Sequence, residues 1–129
     1  MPHPRMYDDD DPVLARLRAL CAGLPGSVEK ESWGRPTFRA GRIYATYGSR
    51  DRPTALLFRP EDDERPALLE DPRFWVPPYY GPSGWLALDL DEGSDWAEVA
   101  ELVASSFRQL APPAQVAELD RRGLPRTST

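Results

Sequence analysis

Apolar residues recur at helical spacing near the start of the chain. They lie three or four positions apart and form one face, which comprises Val13, Leu14, Leu17, Leu20, Cys21 and Leu24. Asp11 followed by Pro12 has the pattern of an N-cap and a first helical residue, and Gly23 and Pro25-Gly26 are signals that end a helix. The pattern therefore predicts a helix that begins at Pro12 and buries one side.

Between residues 27 and 90 the pattern changes to short runs rich in aromatic and β-branched residues, separated by glycine and proline turns. Six strands are predicted, at Ser27–Trp33, Thr37–Ala40, Arg42–Tyr47, Thr54–Arg59, Phe74–Val76 and Gly84–Leu90. A short helix is predicted over Glu61–Glu70. Because short turns join most of these strands, we expect an antiparallel sheet.

A second strong helical pattern spans Asp95–Leu110. Its apolar stripe comprises Trp96, Val99, Ala100, Val103, Phe107 and Leu110. Asp95 and Glu98 have the spacing of a capping box, and Pro112-Pro113 end the helix. A shorter amphipathic stretch follows at Ala114–Arg122.

These elements predict an α+β fold, in which an antiparallel sheet of about five to six strands is backed by the N-terminal and C-terminal helices. Both helices are expected to cover the same face. The length suits a single domain over residues 1–129, with a core at about 12–110. The polar ends, 1–10 and 123–129, are expected to be flexible.

Several short signatures follow one another along the chain. They are Leu24-Pro25-Gly26 with Glu29, the segments 33–39 and 41–45, Phe74 to Tyr80, Gly84-Trp85, and Trp96 at the start of a helix that ends near Ser105-Ser106-Phe107. Together, over roughly residues 14–110, they resemble the MmcQ/YjbR family. The resemblance implies a CyaY-like fold, and it implies DNA binding, because members are commonly described as DNA-binding proteins. Arg42 replaces the lysine that usually follows the glycine, which keeps the charge.

Composition excludes several classes of protein. The 129 residues are 40% hydrophobic and 29% charged, as in ordinary globular domains. No apolar run approaches the roughly 18 residues that a membrane helix needs, and the acidic start does not resemble a signal peptide. We therefore expect no membrane association, a cytoplasmic location and a monomer. Cys21 is the only cysteine, which excludes an internal disulfide and predicts a buried thiol.

Charge is distributed unevenly along the chain, whose net charge is −5. Residues 33–59, the basic segment, hold six arginines and one aspartate, which gives +5 and leaves −10 for the rest. Strand alternation predicts an outward face comprising Thr37, Arg39, Arg42, Tyr44 and Thr46. It predicts an inward face comprising Phe38, Ile43, Ala45 and Tyr47.

The basic segment supplies the candidate nucleic-acid-binding residues, which are Arg35, Arg39, Arg42, Tyr44 and Arg59. Guanidinium groups suit phosphate contacts and an aromatic ring suits base stacking, the role expected for Tyr44. The alternative is a solvated face whose arginines pair with acids such as Glu29 or Glu31. The net negative charge of the chain opposes the binding of a polyanion such as DNA. It opposes the binding of a small anion or an acidic protein less strongly.

A second candidate surface is the aromatic loop, residues 75–85. Its residues Tyr79, Tyr80 and Trp85 are the candidate contacts for a partner protein in an interaction or regulatory adaptor. The alternative is a small core that covers an edge of the sheet. The sequence favours DNA binding as the first hypothesis and the adaptor as the second.

Signals for catalysis are missing from the sequence. His3 is the only histidine, which removes the usual general base and a common metal ligand. There is no phosphate-binding glycine loop and no nucleophile elbow. The run Asp8 to Asp11 could attract a hard cation, but helix capping explains its position. We expect neither an enzyme, nor catalytic residues, nor a metal, nor a cofactor; a small-molecule pocket would need a concave site.

Overall fold

The computed structural model describes residues 4–124. Its helices are α1 (Pro12–Ala22), α2 (Arg65–Leu69), α3 (Trp96–Leu110) and α4 (Pro113–Arg122). Its strands are β1 (Val28–Ser32), β2 (Arg35–Ala40), β3 (Arg42–Ser49), β4 (Arg52–Phe58), β5 (Phe74–Trp75) and β6 (Leu86–Asp89). Every predicted helix and strand has a counterpart with shifted ends. Predictions on residues 1–3, His3 included, and on 125–129 lie outside the described residues.

The strands form one antiparallel sheet in the order β1-β2-β3-β4-β6-β5, so that β1 and β5 are its edges. Side chains on one face, the helix face, share a large core with α1, α3 and α4; this face includes Phe38, Tyr47, Leu56, Phe58 and Leu86. The predicted α+β fold, a sheet backed by helices, is confirmed. None of the helices within residues 4–124 is long and apolar enough to cross a membrane.

The opposite side of the sheet, the open face, carries no helix layer of its own. One row across it consists of Thr37, Thr46, Leu57 and Ala87, paired strand by strand. A small second cluster lies here, in which Leu57, Ala87 and Trp85 are buried. Trp75 and Tyr80 of the aromatic loop pack against it. The loop therefore covers the β4–β6 side of the open face.

Two aspartates define the starts of the long helices, as predicted. The Asp11 carboxylate accepts from the backbone N–H of Val13 at 2.9 Å, and that of Asp95 accepts from Ala97 N–H at 3.1 Å. Both contacts satisfy amide groups that the first turn leaves unpaired. Glu98 does not complete the predicted capping box, because its carboxylate accepts from both terminal nitrogens of Arg73, at 2.9 and 3.0 Å.

An irregularity in β3 changes which side chains face outward. Phe38 pairs with Ala45, but the next residue, Arg39, pairs with Ile43. Tyr44 is therefore an extra residue in β3, which makes a β-bulge. Simple alternation fails at the bulge: Ile43 packs on the open-face cluster, whereas Tyr44 belongs to the helix-face core. The predicted orientations of Ile43 and Tyr44 are both wrong.

The described part of the N-terminal segment lies against the β1–β2 hairpin. Met6 N–H donates to the Gly34 carbonyl at 2.8 Å, and the Tyr7 hydroxyl donates to Glu31 at 2.7 Å. Arg5 and Asp9 form an ion pair at 3.0 Å. These contacts belong to residues 4–10, for which the sequence predicts flexibility.

Candidate functional site

The acidic neighbours of the basic segment are engaged by other arginines. Glu29 accepts two hydrogen bonds from Arg18 of α1, both at 2.8 Å. Glu31 accepts from Tyr7 and lies 3.6 Å from Arg5. The sequence could not predict these pairs because both arginines come from elements outside the sheet. Glu29 and Glu31 therefore do not neutralise the sheet arginines.

Most arginines of the basic segment have no acidic partner. Within residues 4–124, one of the six forms an ion pair, Arg52 with Asp89 at 2.7 Å. Among the described residues, no carboxylate lies within ion-pair distance of the other five, which are Arg35, Arg39, Arg42, Arg50 and Arg59. Most of the positive charge of the basic segment is thus not matched by ion pairs among residues 4–124.

Strand β2 places two of these arginines on the open face. Thr37 belongs to the open-face row, and Arg35 and Arg39 lie two residues before and after it, so alternation puts them on the same side. Lys30 of β1 pairs with Thr37 and joins them there. The Arg39 Nε donates to the Thr37 hydroxyl at 3.1 Å, which orients its guanidinium along the strand.

Arg35 owes its position to a glycine on the neighbouring strand. A Cβ built on Gly48 would lie 2.5 Å from Nη1 of Arg35, so the missing side chain makes room for the guanidinium. Gly48 also has a φ of +95°, a conformation that favours glycine. Partial burial lowers the pKa of Arg35 from its ordinary value. The position that holds Arg35 is thus built by two strands together.

Arg59, directly after β4, is held by the aromatic loop and by α3. Its Nε donates to the Ser83 carbonyl at 3.3 Å, and its Nη1 donates to the Gln109 side chain at 3.2 Å. Both acceptors are neutral, and no ion pair joins Arg59 to a carboxylate among residues 4–124, although the Asp62 carboxylate borders Gly84 on the same side as the Arg59 guanidinium. We call Lys30, Arg35, Arg39 and Arg59 the basic patch. Sequence reasoning missed Lys30, because it stands between two glutamates.

Arg42 has a different position from the one predicted. Its Nε donates to the carbonyl of Leu110 at 3.0 Å, and its Nη2 donates to the carbonyl of Gln109 at 3.3 Å. These are carbonyls at the C-terminal end of α3, where a cation is stabilised by the helix dipole. Arg42 therefore ties the β2–β3 hairpin to α3 and lies outside the basic patch.

Tyr44 cannot act as a stacking ring. Its side chain is 0% exposed and packs edge-on against Phe107 of α3, with ring centroids 5.2 Å apart. Its hydroxyl lies 2.5 Å from that of Ser27, and burial raises the pKa of the phenol. Cys21 is buried beside it, and burial raises the pKa of that thiol to about 12. The predicted buried thiol is confirmed, and the role predicted for Tyr44 is wrong.

The aromatic loop contains both core and surface residues. Trp85 is only 6% exposed and stacks with the half-buried Tyr80, with ring centroids 4.9 Å apart. These two rings form the small core that was the alternative interpretation, so Trp85 is not available to a partner. Tyr79, in contrast, is 84% exposed. Only part of the predicted interaction set lies at the surface.

The basic patch and the aromatic loop meet on the open face. Burial raises the pKa of the Tyr80 phenol, and the positive charge of Arg39 opposes this shift. Ile43, the partner of Arg39 on β3, packs against the same open-face cluster as Tyr80, although 41 positions of sequence separate Arg39 from Tyr80. What the sequence presents as two candidate sites is one surface, with cations on β2 and aromatic rings beside them.

Carboxylate clusters elsewhere on the surface have other roles. Asp11 caps α1 and accepts from the Tyr47 hydroxyl at 2.6 Å, and Asp9 pairs with Arg5 and Arg18. The aspartate run is thus engaged in structural contacts. Glu61, Asp63 and Glu64 lie close together near α2, where all three are exposed to solvent.

Two shallow cavities border α3. One, of about 380 Å³, lies at the start of α3 and is lined by the ion-paired Arg52, Arg73 and Asp89 among others. The other, of about 280 Å³, lies between α2 and α3 over Phe58 and Leu68. Neither is lined by a residue of the basic patch.

Comparisons with known proteins agree with this fold. A family model described as YjbR matches residues 22–109. The chain is similar to the crystal structure of protein DR2400 from Deinococcus radiodurans, described with a DUF419 domain, with a TM-score of 0.66 and 21% identity over 89% of this chain and 91% of that one. At this identity the likeness shows the fold alone. A comparison with curated proteins finds no match.

Proposed function

The chain belongs to the YjbR family, and we propose that it is a non-enzymatic binding protein whose basic patch holds DNA. The observation that carries the proposal is that no ion pair joins the arginines of the patch to a carboxylate among residues 4–124. Within the described residues, Arg35, Arg39 and Arg59 have no carboxylate within ion-pair distance. They lie with Lys30 on or beside the open face of the sheet.

Guanidinium groups left without carboxylates favour a phosphate ligand. Their planar donors form charge-assisted hydrogen bonds with phosphate oxygens, and the release of counterions adds to affinity. Three cations on adjacent strands β1 and β2 and one at the end of β4 provide several contacts at once. Such contacts position a nucleic acid without reading its sequence.

The net charge of −5 opposes this function less than it first suggests. Many of the acids are matched locally by arginines outside the patch, as in the pairs Arg18–Glu29, Arg73–Glu98 and Arg108–Asp120. Unmatched acids on distant surfaces are screened beyond a Debye length of about 8 Å at physiological salt. A ligand on the open face is therefore affected mainly by the patch.

Fluorescence anisotropy with labelled single-stranded and duplex DNA tests the proposal. Binding is expected at low salt, and it should weaken by about tenfold or more between roughly 50 and 200 mM salt if several phosphates are contacted. Arg39→Glu is expected to abolish binding. Arg121→Glu, on the exposed side of α4, is the control with the same change of charge. No binding at low salt, or equal losses in both variants, would refute the proposal.

A protein adaptor is the second candidate function. The observation that favours it is the exposure of two large apolar side chains in the aromatic loop, Val76 at 50% and Tyr79 at 84%. A partner that buries apolar area binds with little dependence on salt, whereas DNA binding weakens steeply. A partner whose affinity falls with Tyr79→Ala but not with Arg39→Glu would favour the adaptor.

A further inference from the structure

Two exposed aromatic residues have unusual backbone conformations. Within residues 4–124, the non-glycine residues with positive φ are Trp33, at +56°, and Tyr79, at +65°. Both lie mainly in solvent, Trp33 at 73% and Tyr79 at 84% exposure. Positive φ is unfavourable for bulky side chains, and the exposed ring of Tyr79 buries little area to offset it. At Trp33 the two-residue turn between β1 and β2 requires the positive φ. Strain of this kind is concentrated at functional sites.

The turn at Tyr79 directs the ring into solvent. Tyr80 N–H donates to the Pro78 carbonyl at 2.7 Å, which closes a three-residue γ-turn around Tyr79. A γ-turn with positive φ at its centre is the rarer, strained form. The next residue, Tyr80, turns inward onto Trp85 and packs against the same cluster as Ile43, the β3 partner of Arg39. The exposed ring is thus adjacent to the residue that joins the loop to the basic patch.

Trp33 stands at the other end of strand β2. It forms the tight β1–β2 turn with Gly34, whose φ is +80°, and Arg35 follows one residue later. Arg35 and Arg39 are separated by about 14 Å along an extended strand. The arginines of β2 therefore have an exposed aromatic residue near each end.

Rings beside cations discriminate between forms of DNA. In a duplex the bases stack on one another, and a flat surface reaches only phosphates. In a single strand the base faces are open, and aromatic side chains stack on them whatever the sequence. Because the bases of a duplex are already stacked, an exposed aromatic ring on the protein would add nothing to duplex binding.

We propose that the ligand of the basic patch is single-stranded DNA, with Arg35 and Arg39 on its phosphates and with Tyr79 and Trp33 as stacking platforms for its bases. This inference rests on the function proposed above. It adds the form of the ligand and the residues that select it.

The test compares a fluorescein-labelled oligodeoxythymidine of twelve nucleotides with a duplex of the same length, using the full chain. The wild type is expected to bind the single strand more tightly. Tyr79→Ala should weaken that binding roughly fivefold or more while leaving duplex binding unchanged. Tyr79→Phe keeps the ring and should bind like the wild type. Because Tyr79 is exposed, these variants should fold, which circular dichroism checks.

The outcomes separate the two proposals. If the duplex binds as tightly as the single strand, or if Tyr79→Ala and Trp33→Ala change neither affinity while Arg39→Glu abolishes both, the stacking inference is wrong and the basic patch remains. If neither DNA form binds at low salt, the proposed function fails and the inference fails with it.

Discussion

Ile43 of β3, the partner of Arg39 on β2, packs against the same open-face cluster as Tyr80 of the aromatic loop. Their relationship depends on the order of the strands, in which β6 lies beside β4 and brings the preceding loop over the sheet. A cation and an aromatic ring from distant parts of the chain therefore belong to one surface.

Replacing Tyr79 with glycine should stabilise the fold. Glycine relieves a left-handed conformation that costs about 1–3 kcal/mol, against an entropic loss of roughly 0.5–1 kcal/mol, so a net gain of about 1 kcal/mol is expected. Urea denaturation measures the change in the free energy of unfolding. Tyr79→Ala keeps a Cβ at the same φ and should give no such gain. A destabilised glycine variant would mean that the ring packs in solution.

Ser106→Ala should destabilise the protein by about 1–3 kcal/mol, because it leaves two buried groups unpaired. The Ser106 hydroxyl donates to the Tyr44 carbonyl at 2.6 Å and accepts from Arg59 N–H at 3.0 Å. Thermal and urea denaturation report the loss. The neighbouring half-buried Ser105 provides the control, since Ser105→Ala should cost clearly less. Equal losses would show that the paired hydroxyl has no special role.

Gly48→Ala should displace Arg35 and weaken DNA binding as well as stability. The new Cβ would stand 2.5 Å from the guanidinium, at a φ of +95°. Gly123→Ala is a matched control, because Gly123 has a φ of +78° but no atom near its hypothetical Cβ. Both variants should lose about 1 kcal/mol through backbone strain, and Gly48→Ala more. If Gly48→Ala kept the DNA affinity of the wild type, Arg35 would not contribute to binding.

Ionisation of the Tyr47 phenol should lower the free energy of unfolding at alkaline pH. Burial, and then the hydrogen bond to Asp11, raise the pKa of its phenol above the ordinary value of about 10. The folded state thus keeps a proton that the unfolded chain releases, so the contribution is complete below about pH 10 and is lost as the pH rises. The urea midpoint of Tyr47→Phe should decline less steeply above about pH 10. Parallel curves for wild type and variant would contradict this.

Local signals in the sequence were sufficient to predict the helices and strands and the packing of the helices on the sheet. Asp11 and Asp95 cap helices as predicted, and the glycine and proline turns separate the strands. Ion pairing was not predictable, because Glu29 pairs with Arg18 of α1 and Glu31 pairs with Arg5 of the N-terminal segment. Such contacts depend on how elements pack rather than on local pattern.

The errors at the candidate site have specific physical causes. A single extra residue in β3 turned Tyr44 inward, and no local signal marks the bulge. Arg42 does not lie on the predicted face, because its guanidinium donates to a carbonyl at the end of α3. Trp85 was predicted to contact a partner because it belongs to a group of aromatic residues beside a glycine turn, whereas its side chain is buried with Ala87 and Leu57 on the open face. Long-range packing decided all three.

The exposed edge strand β1 has a consequence for the behaviour of the protein at high concentration. An unpaired edge is a template for another strand, and two copies of β1 meeting antiparallel about their centres would bring Lys30 against Lys30 and Glu29 against Glu31. Like charges in both positions oppose that contact. The charges of β1 thereby disfavour growth of the sheet through pairing of its edge with a second copy.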